Sequence, residues 1–352
     1  MDRSAKHNTW WRWLRFALLG AGLLLLAAVN LWAYQGRIDF YILGILTVMG
    51  INIILATSLN LINGFAGQFA IGHAGFMAIG AYVSALLTTL RSLPFLPALI
   101  AGGLAAALVG LGVGIPTLRL RGDYLAIATL GLGEIIRVII VNLPITGGAF
   151  GFSGMPPYTN FFWVEGAVVV TLLVLSNFIR SSPGRALLAV REDEFAAETV
   201  GVPTTYYKVL AFAIGSFFAG VAGGLFAHYL LFIDPSQFGI LKSIEILMMV
   251  VLGGLGSFSG SVVAAVLLTA LPEFLRGFAD YRMVIYSALL ILVMLLRPSG
   301  LFGQVEIWQL LGDRTNGPGG LPGKPGGSGR GGLAMPDKAG ATGSPREVAG
   351  QW

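Results

Sequence analysis

The chain contains no cysteine. That excludes disulfide staples, thiol catalysis and cysteine-ligated metal sites, and leaves the redox compartment open. Charge is nearly as scarce: 11% of the 352 residues are Asp, Glu, Lys or Arg, against the roughly 25% of an ordinary soluble domain. With 55% hydrophobic residues and a mean hydropathy of +0.79, too few charged groups remain to cover a soluble surface. Histidine occurs three times. There is no H-E-x-x-H pair, no cluster of metal ligands and no Ser/His/acid arrangement, so a membrane enzyme has little to build on. The G-x-x-x-x-G-K-[ST] phosphate loop is also missing; Gly323-Lys324-Pro325 lacks the hydroxyl residue that such a loop needs. The pI near 9.6 does not indicate nucleic acid, because Lys and Arg are dispersed among loops and form no compact basic domain.

What the chain has in abundance is apolar runs. A bilayer core of about 30 Å takes roughly 20 helical residues. Candidate spans fall at 14–34, 40–62, 67–90, 95–118, 124–143, 161–179 and 208–231. Two shorter segments, 243–256 and 260–275, flank Gly253-Gly254-Leu255-Gly256-Ser257-Phe258-Ser259-Gly260, and a last span covers 283–296. The fold class is therefore all-α, a polytopic transmembrane bundle of about eight to ten spans with broken or re-entrant helices. The first run is longer than a signal-peptide core and ends in Trp32 and Tyr34, so it reads as an uncleaved span. With both termini inside, and the six basic tail residues left aside, ten Lys and Arg lie inside and five outside, which satisfies the positive-inside rule. The membrane domain is expected over 1–311, with a short interfacial helix over 301–311. The tail, 312–352, holds 13 Gly and 5 Pro in 41 residues and is expected to be disordered.

The stretch 60–82 organises the chain. At helical spacing Ala66, Ala70, Ala74 and Ala78 form an i+4 ridge with Gly67 and Gly75 beside it, the kind of surface on which helices approach closely in lipid. Packing alone accounts for such a ridge. Asn63-Gly64, however, reads as a turn within membrane depth, followed by Gln68 and His73; non-helical backbone there is tolerated only against protein or a watered cavity. Asn63, Gly64, Gln68 and His73 are thus candidate pathway residues. His73 alone, as a lone intramembrane histidine, reads more readily as a hydrogen-bonded packing residue than as a proton relay. The second glycine-rich interruption, near Gly253 to Gly260, falls in the other half of the domain, as paired broken helices do in transporters.

Glu134 and Arg137 stand i, i+3 inside the 124–143 span and are expected to pair as a structural ion pair facing the bundle. Outside the spans, 180–207 carries a helix with clear ends. Ser182 is its expected N-cap, Pro183 its first residue, and Gly201 followed by Pro203 its stop.

The run 60–82 resembles the corresponding segment of the LivM-type permeases, the membrane subunits of branched-chain amino acid ABC importers. The resemblance extends over about 40–300. It includes Leu118-Arg119-Leu120-Arg121-Gly122-Asp123-Tyr124, Gly131-Leu132-Gly133-Glu134-Ile135-Ile136-Arg137 and Val250-Val251-Leu252-Gly253-Gly254-Leu255-Gly256-Ser257, in that order. It implies that 180–207 is a cytoplasmic coupling loop of the EAA type, seated in a cleft of an ATP-binding subunit through Arg185, Glu192, Asp193, Glu194, Phe195, Ala196, Ala197 and Gly201. Ala196, Ala197 and Gly201 match the small-residue spacing of that signature, while Phe195 takes its usual Glu position and Glu194 stands one residue early. It further implies a non-catalytic, multi-pass subunit of a bacterial-type plasma membrane with no metal or cofactor of its own. ATP would be bound by two cytoplasmic partner subunits, beside a LivH-like second permease and an external substrate-binding protein. A urea or short-chain amide permease on the same scaffold, and a self-sufficient secondary transporter or channel, remain open alternatives.

Overall fold

The computed structural model describes residues 39–117 and 122–278, with isolated positions between 284 and 303. Among the described residues eight helical segments are long and apolar enough to cross a membrane, as expected for a multi-pass protein. In chain order the helices are α1 (Phe40–Asn60), prolonged by a π-helix (Leu61–Phe65), α2 (His73–Leu90), α3 (Phe95–Thr117), α4 (Asp123–Asn142) and α5 (Phe161–Arg180). Two short helices follow, α6 (Ser182–Glu192) and α7 (Glu194–Thr199), and then α8 (Thr204–Leu230), α9 (Ile240–Gly253) and α10 (Phe258–Phe274). A two-residue antiparallel ladder joins β1 (Phe152–Ser153) to β2 (Phe232–Ile233).

The core forms where α8 packs between α2 and α3 and against α1. Lipid gives apolar helices no reason to associate, so close backbone contact has to hold them together. A Cβ added to Gly80 of α2 would run into the backbone of Gly220 on α8. One on Gly102 of α3 would lie 2.7 Å from the Gly80 carbonyl oxygen, and one on Gly220 would lie 2.6 Å from the Ala106 Cβ. Three helices thus meet on glycine and a single alanine methyl. Farther along, His228 of α8 ties back to α2 through Thr88 Oγ1, 2.9 Å from Nε2. The second half of α1, from Ile51 to Asn60, is buried without interruption. By contrast, Leu96, Ile100, Leu104 and Leu108 present an i, i+4 apolar stripe along the outside of α3.

Several sequence expectations shift. Asn63-Gly64 is not a turn: the helix absorbs it as the π-helix, and the non-helical stretch comes later, between Ala66 and the start of α2 at His73. The alanine ridge is therefore not one helical face. Ala66 and Ala70 lie in the break and Ala74 and Ala78 on α2, although all four are buried. The helix expected over the 180–207 loop is two helices. Ser181, not Ser182, caps the first, and Asp193 stops it and caps the second by accepting from the Ala196 N–H. Lys242, which with Arg37, Arg91, Arg276 and Arg282 makes up the five basic residues expected outside, belongs to α9. Isolated positions apart, the expected spans over 14–34 and 283–296, the stretch 301–311 and the tail 312–352 lie outside the described residues, as do Arg119 and Arg121.

Candidate functional site

The two interruptions meet, and one side chain holds them together. Asn60, the last residue of α1, is fully buried. Its Nδ2 donates to the Ser257 carbonyl at 2.8 Å and to Ser261 Oγ at 2.7 Å, while its Oδ1 accepts the Gly256 N–H at 2.9 Å. Backbone released between α9 and α10 is satisfied by this amide, which supplies both donors and an acceptor. The turn itself needs glycine, since Gly254 and Gly256 have φ of 110° and 90°. Gly64 allows the approach: a Cβ there would strike Asn60 Oδ1 and the Gly256 nitrogen. Phe65 and Phe258 close the junction, their ring centroids 4.4 Å apart.

The first break is pinned in the same way. Asn63 Nδ2 donates to the Ala70 carbonyl and Asn63 Oδ1 accepts the Ala70 N–H, both at 3.1 Å, so the side chain replaces a missing backbone partner. Thr129 of α4 accepts the Ile71 N–H at 3.0 Å, and Ser243 of α9 accepts the Ala74 N–H at 3.2 Å. His73, buried at the start of α2, places Nε2 2.9 Å from Ser58 Oγ on α1. Gln68 is buried as well, with Nε2 3.4 Å from the Ala66 carbonyl. All four sequence-derived pathway residues therefore line the break, and each is occupied within it.

Charge lies beside this junction. Arg137 Nε donates to Glu134 Oε2 at 2.7 Å along α4, the two side chains being 33% and 27% exposed. The first turn of α9 passes close by: a Cβ on Gly239 would lie 4.0 Å from Glu134 Oε1. A narrow cleft of about 10 Å³, room for a single water, separates α4 from α9 there, lined by Leu130, Gly133, Glu134, Phe238 and Ser243. A second pair had no counterpart in the sequence reading. Lys242 Nζ donates to Glu245 Oε2 at 3.1 Å and contacts Asn52 Oδ1 at 3.4 Å, while Asn52 Nδ2 donates to Thr269 on α10. The i, i+3 spacing of Lys242 and Glu245 was available as a signal; their position inside a span-length element was not.

The α6–α7 segment is fixed to the bundle. Leu187 and Val190 of α6 and Ala197 of α7 are buried, and Glu194 takes Lys208 of α8 in an ion pair of 2.6 Å. Thr204 donates to Glu198 at 2.7 Å. At the end of α7 the Val202 N–H reaches the Ala197 carbonyl and the Gly201 N–H the Glu198 carbonyl, a Schellman closure with Gly201 at φ 85°. Of the residues expected to couple to a partner, Arg185, Glu192, Asp193, Phe195 and Ala196 are exposed, Phe195 at 64%. Ala197 faces inward. Val200 at 78% and Tyr206 at 61% exposure are, like Phe195, exposed apolar side chains in or just after this segment, and the sequence reading passed over them.

Paired interrupted helices, small-residue packing and membrane-depth ion pairs define a multi-pass transport protein of the permease class. Residues 41–295 match the family described as the branched-chain amino acid transport system permease component, and the chain belongs to that family. The chain is 38% identical to the high-affinity branched-chain amino acid transport system permease protein LivM of Salmonella typhimurium, over 79% of this chain and 73% of the relative. It is equally 38% identical to LivM of Escherichia coli K12, over 80% of this chain and 74% of the relative. The permease protein LivH of Escherichia coli K12 is 26% identical over 72% of this chain and 92% of its own length.

Proposed function

We propose that the chain is the membrane-spanning subunit of an ATP-driven importer of branched-chain amino acids. It is non-catalytic: with no phosphate-loop motif in the sequence, ATP is hydrolysed by two cytoplasmic partner chains. A LivH-like permease completes the pathway, and an external binding protein delivers substrate. The similarity to LivM supports the substrate class, and the basic residues around 180–208 support a cytoplasmic position for α6 and α7.

The observation that carries this reading is the outer surface of α6 and α7. Phe195 and Val200 are exposed apolar groups on a segment whose inner face is locked to α8, so force applied outside passes into the bundle. Apolar anchors surrounded by charge are what a docking face presents. The test is Phe195→Asp in the complex reconstituted with both ATP-binding chains, the second permease and the binding protein. We expect normal abundance in the membrane, loss of the ATP-binding chains on purification and at least a tenfold fall in leucine uptake. Full assembly and uptake in that variant would refute the docking face. Uptake by this chain without partners would favour the self-sufficient transporter instead.

A further inference from the structure

Arg191, the penultimate residue of α6, lies beside both interruptions at once. Its Cα, Cβ and Cγ lie 3.2 to 3.7 Å from the point a Cβ on Gly67 would occupy, so its stem crosses the first break. Its Nη1 lies 2.7 Å from the corresponding point at Gly256, so its head sits on the second. The Gly64 carbonyl oxygen is 3.6 Å from that same point. Both glycines have positive φ and neither carries a side chain that would displace the arginine. Through Asn60, Gly64 and the Phe65–Phe258 contact the two breaks already form one unit. Arg191 extends that unit to the segment bearing the outer surface of Phe195 and Val200.

We infer that Arg191 is a positioning residue for transport, a strut that converts movement of α6 and α7 into movement of the paired breaks. The inference rests on the permease reading above. A rigid α6 buried through Leu187 and Val190 moves as a body, and Arg191 near its end is wedged where the backbone of both halves is least regular. Pushing on Arg191 therefore shifts Gly67 and Gly256 together. Arginine suits this place: its long stem fills the glycine trough at Gly67, and its planar, permanently charged head lies over Gly256.

The cysteine-free sequence permits a direct test. The Arg191 Cβ is 3.7 Å from the point a Gly67 Cβ would occupy, within the range of about 3.5–4.5 Å that a disulfide requires. In the full complex in proteoliposomes, the double variant Gly67→Cys with Arg191→Cys is expected to cross-link on mild oxidation. Because the two positions move as one, the cross-linked complex should keep the leucine uptake that the same complex shows after dithiothreitol. Failure to cross-link would show that the contact is not made, and a fall in uptake of at least tenfold on cross-linking, reversed by dithiothreitol, would show that the two positions move against each other. Either result overturns the strut. Import by the reduced complex reports separately on the permease reading itself. Where the reduced double variant is inactive, Arg191→Met decides: assembly should persist while the ATP hydrolysed per leucine imported rises at least fivefold. An unchanged ratio, or loss of assembly, would mean that Arg191 only holds the fold.

Discussion

Replacing Asn60 by leucine keeps its bulk and removes every polar contact it makes. Gly256 then keeps a buried N–H whose partner was Asn60 Oδ1, while Ser257 O still receives the Ser261 N–H at 3.1 Å and is not orphaned. A buried orphan donor costs about 1–3 kcal/mol, and each of the two lost donations about 0.5–1.5 kcal/mol in a soluble core. Polar contacts between membrane helices average nearer 0.6 kcal/mol, which puts three of them at about 2 kcal/mol. We therefore expect Asn60→Leu to destabilise the chain by about 2–3 kcal/mol, roughly 30- to 150-fold in the ratio of native to opened protein. Thermal denaturation in detergent measures this. At about 2 °C per kcal/mol for a large domain, the midpoint should fall by roughly 5 °C. Asn142→Leu is the control, because Asn142 is exposed and bonds only to its own helix, to the Val138 carbonyl. Equal midpoints for the two variants would refute the claim that the amide of Asn60 holds the interruptions together.

Three further outcomes follow from the geometry. Glu134→Gln combined with Arg137→Met should retain more uptake than either single change, because a lone charge in the membrane is worse than none; the partial exposure of both groups keeps the difference small. Uptake lost only when Glu134 is absent, at equal abundance, would instead assign it a direct transport role. Gly220→Leu should prevent accumulation in the membrane, since the side chain has only the backbones of Gly102 and Gly103 and the Ala106 methyl to displace; immunoblotting of membrane fractions checks it. Ala197→Arg should lower abundance by unseating α7 from α8, because the methyl is 4% exposed and faces inward; normal abundance with blocked ATPase stimulation would mean the residue meets a partner.

The spans were legible because each apolar run must be at least as long as the bilayer is thick, and the expected and observed helices agree to within a few residues over most of the chain. The breaks were legible only as composition. Asn63-Gly64 carries a turn signature, yet the helix runs through it because Asn63 spends its amide on Ala70, seven residues on, and the π-helix takes up the irregularity. The alanine spacing continued across the break, so periodicity alone joined segments that the backbone separates. Glu192-Asp193-Glu194 reads as helix interior, but the Asp193 side chain competes for the Ala196 N–H and splits the segment in two. Asn60 and Arg191 were not legible at all. Asn60 looks like one more residue of a span, and its partners lie about 200 residues away. Arg191 looks like one charge of a solvated face until Gly67 and Gly256 are seen beneath it.

The glycine contact among Gly80, Gly102 and Gly220 also sets a schedule for biogenesis. Helices α2 and α3 leave the ribosome first, and roughly a hundred residues separate the end of α3 from the end of α8, which supplies Gly220. At the usual pace of about 5–20 residues per second, the paired helices wait on the order of 10 s with their trough unfilled. During that interval the nascent chain is a half-built bundle offering bare backbone to whatever lies alongside. A chain terminated before α8 keeps that trough unfilled and should accumulate less in the membrane than the full chain, which immunoblotting of membrane fractions checks.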